Sequence, residues 1–235
     1  MSGAGGASPD TVSRARRLLH LVRVRGFRRT VRAVVQGYVF AFRRWYICTR
    51  TIRPDPPPPP SDEFECRLAT LADLEALAVF EPNRHRREFR EWLENGDYVF
   101  VAFVDGGPVA FQCISRSVPT GPPLSSLSLG PGQLWAVDVQ TLPAYRRHKA
   151  AVAIRAYRDR VLGGLGCRQI VSSVQEDNLP ALIYAYGGRK RLVDKVALLT
   201  YLCVLGVKRI RIEHDALARL ERHLGQAGLL PKPDA

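Results

Sequence analysis

Residues 133–154, QLWAVDVQTLPAYRRHKAAVAI, contain a clear change from a strand pattern to a helix pattern. The first ten residues are rich in apolar and β-branched side chains that partly alternate with polar ones, which predicts a strand. After Pro143 the apolar side chains recur at helical spacing, which predicts a helix over residues 147–163. Basic residues crowd the first turn of this helix. The junction is therefore either a loop that holds phosphate groups at a helix N-terminus or the solvated start of an amphipathic helix.

The segments on either side of this junction alternate between predicted strands and predicted helices. Asp105-Gly106-Gly107 predicts a hairpin turn between two apolar strands, and Thr70 followed by Asp73 predicts a helix N-cap. The other predicted strands are 64–70, 168–174, 195–206 and 207–213, and the other predicted helices are 83–96, 179–187 and 214–230. This order predicts a mixed α/β domain, with hairpins early in the chain and βαβ units late.

The net charge of +13 belongs mainly to the N-terminal part of the chain. Residues 11–54 contain twelve arginines and no lysine, aspartate or glutamate, and removing those arginines leaves 23 basic residues against 22 acidic ones. Apolar side chains recur every three or four residues from Leu18 to Trp45, which predicts amphipathic helices broken near Gly26 and Gly37. Residues 45–52 then predict a short strand.

These features divide the chain into five predicted segments. They are a disordered lead (1–13), an Arg-rich amphipathic helical extension with a short strand (14–53), a proline-rich linker (54–62), the main domain (63–213), and a C-terminal helix and tail (214–235). The extension fits either a helix that lies on an anionic membrane surface or a helix packed on its own domain or on a partner.

Composition and spacing disfavour several kinds of site. No run of 18 or more uncharged apolar residues occurs, so no membrane-spanning helix is predicted. The five cysteines form no CxxC pair and the five histidines have no metal-ligand spacing, so neither a disulfide framework nor a metal site is predicted. No nucleic-acid-binding motif is present. We expect a cytoplasmic protein, with peripheral attachment to the membrane through the Arg-rich extension as the alternative.

Two runs in the main domain carry a resemblance to a known family. Residues 141–151, TLPAYRRHKAA, join the central strand to the next helix, and residues 175–188, QEDNLPALIYAYGG, follow the next strand. Together with the order of elements over roughly residues 64–206, they resemble the GNAT superfamily of acyl-CoA-dependent N-acyltransferases. The resemblance implies a mostly antiparallel sheet flanked by helices, in which the fourth and fifth strands after the proline-rich linker are parallel and splay apart at the cofactor site.

The resemblance also implies a cofactor and the residues that bind it. The co-substrate is expected to be acetyl-CoA or another acyl-CoA, without a metal, and its pyrophosphate is expected at the N-terminus of the helix after Pro143. The strand before Pro143 is expected to donate an N–H group to the thioester carbonyl, and Asn178 to hold the coenzyme near the splay. Lys149 stands where the family has a glycine. The expected cofactor-binding residues are Val139, Gln140, Thr141, Arg146, Arg147, His148, Lys149, Ala150, Ala151 and Asn178.

The mechanism implied by the resemblance is direct attack by an amine, which needs a proton acceptor and a proton donor for the leaving thiolate. The family places a tyrosine acid seven residues after the asparagine. That offset gives Ala185 here, so Tyr184 and Tyr186 on either side are candidates for the acid, with packing as the alternative role. Asp138, the only carboxylate within its strand, is the candidate base or a structural hydrogen-bonding group. Glu81, His85, Glu88 and solvent are further candidates for the base.

Three functions follow from these observations. The first is an N-acyltransferase that moves an acetyl or other acyl group from acyl-CoA to an amine-bearing acceptor. The second is an acyltransferase whose donor is an acyl carrier protein, an acidic partner that the cationic extension would attract. The third is a catalytically degenerate domain that binds a membrane or a protein partner.

Overall fold

The computed structural model describes residues 40–53, 55, 63–80, 85–121, 123–146, 149–188 and 191–230. The predicted Arg-rich helices before residue 40, most of the proline-rich linker, and the candidate residues Glu81, Arg147 and His148 therefore lie outside the described residues. The side chain of His85 lies outside them as well.

The described chain contains eight strands and five α-helices. The strands are β1 (Phe40–Thr51), β2 (Glu65–Leu68), β3 (Tyr98–Val104), β4 (Gly107–Ser115), β5 (Gln133–Thr141), β6 (Gln169–Gln175), β7 (Lys195–Val204) and β8 (Val207–Glu213). The helices are α1 (Leu74–Leu77), α2 (His85–Glu94), α3 (Ala150–Gly164), α4 (Leu179–Tyr186) and α5 (Leu217–Gln226), and short 3₁₀ turns occur at Leu71–Asp73, Leu124–Ser126 and Pro143–Tyr145. The predicted α/β class is confirmed.

All eight strands belong to one sheet, in the order β2-β3-β4-β5-β6-β1-β7-β8. Strands β2 to β5 pair antiparallel in sequence order, and β1 pairs antiparallel with β6. Strands β5 and β6, the fourth and fifth after the proline-rich linker, are parallel. Their pairing runs from Gln133 opposite Gln169 to Ala136 opposite Ser172 and then stops, although both strands continue. The expected mostly antiparallel sheet with one parallel, splayed pair is confirmed.

The first strand differs from the sequence prediction. Residues 40–44 were predicted to continue a helix, but β1 begins at Phe40 and runs to Thr51 as one strand. Trp45, Tyr46, Ile47 and Cys48 are all buried. Four consecutive buried side chains require burial on both faces, which a strand inside a sheet provides and a surface helix does not. Pairing with β6 thus overrides the helical spacing of the apolar residues.

The chain separates into two compact units. The described part of the smaller unit is Phe40–Arg44 and Leu199–Ile212, and the described residues of the larger unit lie within Trp45–Leu198 and Glu213–Leu230. Trp45–Thr51 of β1 lies in the larger unit.

Helices of the larger unit cover both faces of its sheet. On β3, Phe100 and Ala102 pack in a cluster with Ile154 of α3, whereas Val99 and Val101 pack in a different cluster with Phe89 of α2. This alternation buries β3 on both sides. A third cluster packs α4 and α5 against Tyr46, Val174 and Leu198. The arrangement leaves the space between α3 and α4, above the parting of β5 and β6, for a site.

Candidate functional site

A cavity of about 300 Å³ lies where β5 and β6 separate. Its walls come from six elements: β4, β5, β6, α3, α4 and the inserted strand β1. The lining includes Ala136 to Val139 of β5, Ser172 to Gln175 of β6, and Trp45, Cys48 and Arg50 of β1. All of these residues belong to the larger unit. The separation of β5 and β6 after Ala136 and Ser172 thus coincides with a cavity between the two strands.

A β-bulge on β5 shapes this opening. Cys113 of β4 pairs with Asp138, but the next residue, Ile114, pairs with Ala136, so Val137 is an extra residue. A bulge bends its strand and interrupts the alternation of side chains. Strict alternation along β5 would put Asp138 on the opposite face from Val137 and Val139, yet all three line the cavity. The Asp138 Oδ1 atom accepts a hydrogen bond from the Val139 N–H group at 2.8 Å.

The helix that follows β5 begins later than predicted, at Ala150 instead of residue 147. Lys149, the residue before it, adopts a left-handed conformation with φ of 67° and ψ of 12°. Its carbonyl accepts hydrogen bonds from the Val152 and Ala153 N–H groups, but its side chain makes no capping hydrogen bond. The N–H groups of Ala150 and Ala151 have no intrahelical acceptor, because the first turn of any helix lacks one.

The conformation of Lys149 is one that glycine adopts more readily than lysine. A residue with positive φ is strained by about 1–2 kcal/mol when it carries a Cβ atom, whereas glycine adopts this region freely. In this chain the position is occupied by Lys149, whose side chain is exposed. Ala150 is buried and Ala151 half-buried, so small side chains are retained at the start of α3.

Of the two candidate acids, only Tyr184 reaches the cavity. Tyr184 lines it, its hydroxyl donates to the Ala151 carbonyl at 3.4 Å, and its ring lies 4.1 Å from the guanidinium carbon of Arg155. The Tyr186 hydroxyl instead donates to Glu221 Oε1 at 2.8 Å. Burial, reinforced by this hydrogen bond, raises the pKa of Tyr186 to about 12. Tyr186 is not part of the cavity wall and packs in the cluster with α5.

Asn178 lines the cavity and also caps α4. Its carboxamide oxygen accepts a hydrogen bond from the Ala181 N–H group at 3.3 Å. The capping satisfies one of the unpaired N–H groups at the start of α4. The structure therefore brings together Asp138, Val139, Asn178 and Tyr184 around one cavity.

Other predicted residues lie outside the cavity wall. The Gln140 carboxamide nitrogen donates to the Phe80 carbonyl at 3.4 Å, and Arg146, which is exposed, donates through Nε to the Thr141 carbonyl at 3.4 Å. Among the candidate bases, Glu88 lies on α2 and does not line the cavity.

Sequence reasoning missed the buried charges of the site. Arg158 donates through Nε and Nη2 to Asp159 Oδ1 at 3.0 and 2.7 Å, and through Nη1 to Gln112 Oε1 at 2.8 Å. Arg50 donates through Nη2 to both carboxylate oxygens of Asp159 at 2.6 and 2.8 Å. We call Arg50, Gln112, Arg158 and Asp159 the buried ion cluster. Burial raises the pKa of Asp159, while the neighbouring Arg158 guanidinium acts in the opposite direction.

Only part of this cluster had a signal in the sequence. An Arg-Asp pair inside a helix is unremarkable on its own, and Arg50 is 109 residues from Asp159 in the chain. Arg50 counted as one arginine of a basic segment, whereas the structure uses it as a half-buried ion-pair partner. No sequence spacing connects Arg50 or Gln112 to the adjacent pair Arg158 and Asp159.

The described residues were also compared with the requirements of a metal site and of a membrane-spanning helix. Nowhere among them do three or more His, Cys, Asp or Glu side chains come together in a way that could hold a metal ion. No helix in the described part of the chain is long and apolar enough to cross a membrane.

Comparison with known proteins shows likeness in fold. No protein-family model and no curated protein matches the sequence. Among solved structures, a functionally unknown conserved protein from Staphylococcus epidermidis is similar, with 10% identity, a TM-score of 0.48, and coverage of 68% of this chain and 61% of that one. An aminoglycoside N-acetyltransferase in complex with CoA is 18% identical, with a TM-score of 0.43 and coverage of 52% and 88%. A GCN5-related N-acetyltransferase from Kribbella flavida is 14% identical, with a TM-score of 0.42 and coverage of 61% and 53%.

The structural neighbours of this chain thus include GNAT N-acetyltransferases, at low sequence identity. The chain spans less than two thirds of the length of the Staphylococcus and Kribbella proteins. Function has to be inferred from the cavity itself.

Proposed function

We propose that this protein is an N-acyltransferase that takes an acyl group from an acyl-CoA thioester and transfers it to an amine. The observation that carries the proposal is the cleft between β5 and β6, which are paired up to Ala136 and Ser172 and then separate around a cavity of about 300 Å³. Ligands of open α/β sheets bind beyond the carboxyl ends of parallel strands, where the backbone groups no longer serve the ladder.

The start of α3 fits the diphosphate end of such a ligand. The Ala150 and Ala151 N–H groups have no acceptor within the helix, and they lie at the positive end of a 15-residue helix. Exposed Arg146 and Lys149 add positive charge beside them. Tyr184, which lines the cavity and contacts the Ala151 carbonyl, joins this helix start to the cavity.

The reacting end of the ligand is proposed to lie beside β5. When bound, acyl-CoA supplies an activated carbonyl carbon, to which the amine nitrogen bonds as the carbon–sulfur bond breaks. The Val139 N–H group is proposed to donate to the carbonyl oxygen, where it would stabilise developing negative charge. In the structure this N–H group donates to Asp138 Oδ1 at 2.8 Å, so the carbonyl oxygen would replace that carboxylate as its acceptor. The displaced Asp138 carboxylate would remain beside the proposed reaction centre, and it is our candidate to accept the amine proton.

Tyr184 is proposed to donate a proton to the leaving sulfur. Tyr184 lines the cavity, whereas Tyr186 does not line it and its hydroxyl donates to Glu221. The geometry therefore favours Tyr184 over Tyr186 for this role.

Calorimetric titration of the full chain with acetyl-CoA tests the proposal. We expect binding by the wild type and at least tenfold weaker binding by Lys149→Glu, because the substitution puts a negative charge beside the diphosphate site. Lys195→Glu is the matched control, since Lys195 is exposed and lies at the start of β7, outside the cavity wall. No binding at millimolar acetyl-CoA would refute the proposal, and a parallel titration with acyl carrier protein would show whether a carrier is the donor instead.

A further inference from the structure

The cavity carries more positive than negative charge. Three arginines, Arg50, Arg155 and Arg158, line it, and Asp138 is the one carboxylate among the described residues of its wall. Asp159, held by Arg50 and Arg158, adds a second carboxylate. Three arginines against two carboxylates leave a net charge of +1 around the cavity. Part of this charge is deeply buried, because Arg158 is 2% exposed and Asp159 is 3% exposed. Uncompensated charge at a buried position is costly, so an anionic ligand would be stabilised there.

The buried ion cluster also has hydrogen-bond donors left over. Within the described part of the chain, Arg50 uses only Nη2, which leaves Nε and Nη1 without an acceptor. Gln112 accepts from Arg158 through Oε1, and no described group accepts from its Nε2. Both residues line the cavity. The surplus consists of donors only, which suits a ligand group that has acceptors only, such as a carboxylate.

The position of the cluster separates it from the proposed diphosphate site. Arg158 is eight residues after Ala150 on α3, which corresponds to about 12 Å along the helix axis. A ligand whose diphosphate lies at the start of α3 would bring its opposite end towards Arg158 and Arg50.

We propose that Arg50 and Gln112, supported by Arg158 and Asp159, form a carboxylate-binding subsite within the cavity. Resting on the proposed function, this subsite selects an acyl donor whose acyl group ends in a carboxylate over one that carries an acetyl group. Arg50 presents the two donors that Asp159 does not occupy, Nε and Nη1, and Asp159 orients Arg50 through its two bonds to Nη2.

The test compares two thioesters and two free anions on the full chain by calorimetry. We expect succinyl-CoA to bind wild type at least tenfold more tightly than acetyl-CoA. Arg50→Gln should bring this ratio close to one. Arg50→Lys keeps the charge but loses the separate Nε and Nη1 donors, and it should leave an intermediate ratio. Arg160→Gln is the matched control, because Arg160 is exposed on the same helix and does not line the cavity; it should keep the wild-type ratio.

Free succinate and inorganic phosphate separate this inference from the proposed function. If neither thioester binds but succinate raises the Tm of wild type and not of Arg50→Gln, the subsite stands and the acyl-CoA proposal falls. Equal affinity of wild type for the two thioesters, or an undiminished ratio in a folded Arg50→Gln variant, would overturn the subsite. Phosphate binding more tightly than succinate at Arg50 would overturn the assignment to a carboxylate.

Discussion

The buried ion cluster and the start of α3 both offer donors to an anion, but they are built in different ways. At the cluster, Arg158 and Asp159 are almost fully buried and are bonded to side chains far away in the sequence. At the start of α3, the donors are backbone N–H groups of consecutive residues, and the charged side chains of Arg146 and Lys149 are exposed. The charged side chains of Arg158 and Asp159 are therefore buried and fixed by hydrogen bonds, whereas those of Arg146 and Lys149 are exposed to solvent.

This difference determines what a substitution does in each region. In the buried ion cluster, removing one charged side chain leaves its partner charge buried and unpaired. Substitutions in the cluster therefore lower stability as well as affecting ligand binding. Exposed charges near a helix start are screened by salt and contribute little to stability, so changes there act mainly on the ligand.

The largest expected effect is at Asp159. Asp159→Asn keeps the shape but removes the charge that Arg50 and Arg158 share, and we expect it to lower the free energy of unfolding by about 3–5 kcal/mol. Urea unfolding measures this change. Glu94→Gln is the control, because Glu94 forms an exposed i,i+4 pair with Arg90 and should change stability by less than about 0.5 kcal/mol. A loss at Asp159 as small as that at Glu94 would remove the distinction between the two regions.

Tyr184→Phe tests whether the start of α3 and the cavity act together in catalysis. Removing the hydroxyl should lower kcat about 100-fold while leaving acetyl-CoA affinity within about twofold, because a positioned acid contributes at this level to the chemical step. The comparison variant is Tyr186→Phe, which should keep kcat and lose about 1 kcal/mol of stability with the bond to Glu221. If Tyr186→Phe reduced kcat and Tyr184→Phe did not, the assignment of the acid would be reversed.

Lys149→Gly sharpens the description of the helix start. Glycine relieves the positive-φ strain but gains more freedom in the unfolded chain, so we expect a net stabilisation of about 0.5–1 kcal/mol. Lys149→Ala keeps the Cβ atom and the strain, and should leave the urea midpoint unchanged while weakening acetyl-CoA binding through the lost charge. Equal stability of the glycine and alanine variants would show that the strain is not significant.

The local features of the fold were predictable from the sequence because each is decided by neighbouring residues. The strand at 133–142 is observed as β5, and the hairpin turn at Asp105-Gly106 has both residues at positive φ. The cap at Thr70 is observed, with the Thr70 N–H group donating to Asp73 Oδ2 at 2.7 Å.

The features that could not be predicted are those decided by long-range pairing. Strand β1 enters the sheet between β6 and β7, and no local spacing of its apolar residues indicates that partner. Arg50 reaches Asp159 only because this pairing brings β1 to the cavity. The bulge at Val137 depends on the register with β4, so the exposure of Asp138 to the cavity could not be derived from alternation along β5.

The smallest expected effect is at an arginine–carboxylate pair outside the cavity. Arg67 bonds Asp73 through two nitrogens at 2.6 and 3.0 Å, and the Arg67 side chain is 40% exposed. The hydrogen bonds from Arg67, with those from Thr70, lower the pKa of Asp73 from 3.8 to about 2. A carboxyl with a lowered pKa stabilises the folded state above about pH 4 and loses this contribution as the pH falls towards 2. Because solvent screens the pair, we expect it to contribute less than about 1 kcal/mol to the free energy of unfolding.

Urea unfolding of wild type and Asp73→Asn between pH 5 and 2 should show a difference in stability that shrinks as the pH falls. A difference that grew towards pH 2, or one as large as that of Asp159→Asn, would mean that burial is not what separates the two ion pairs.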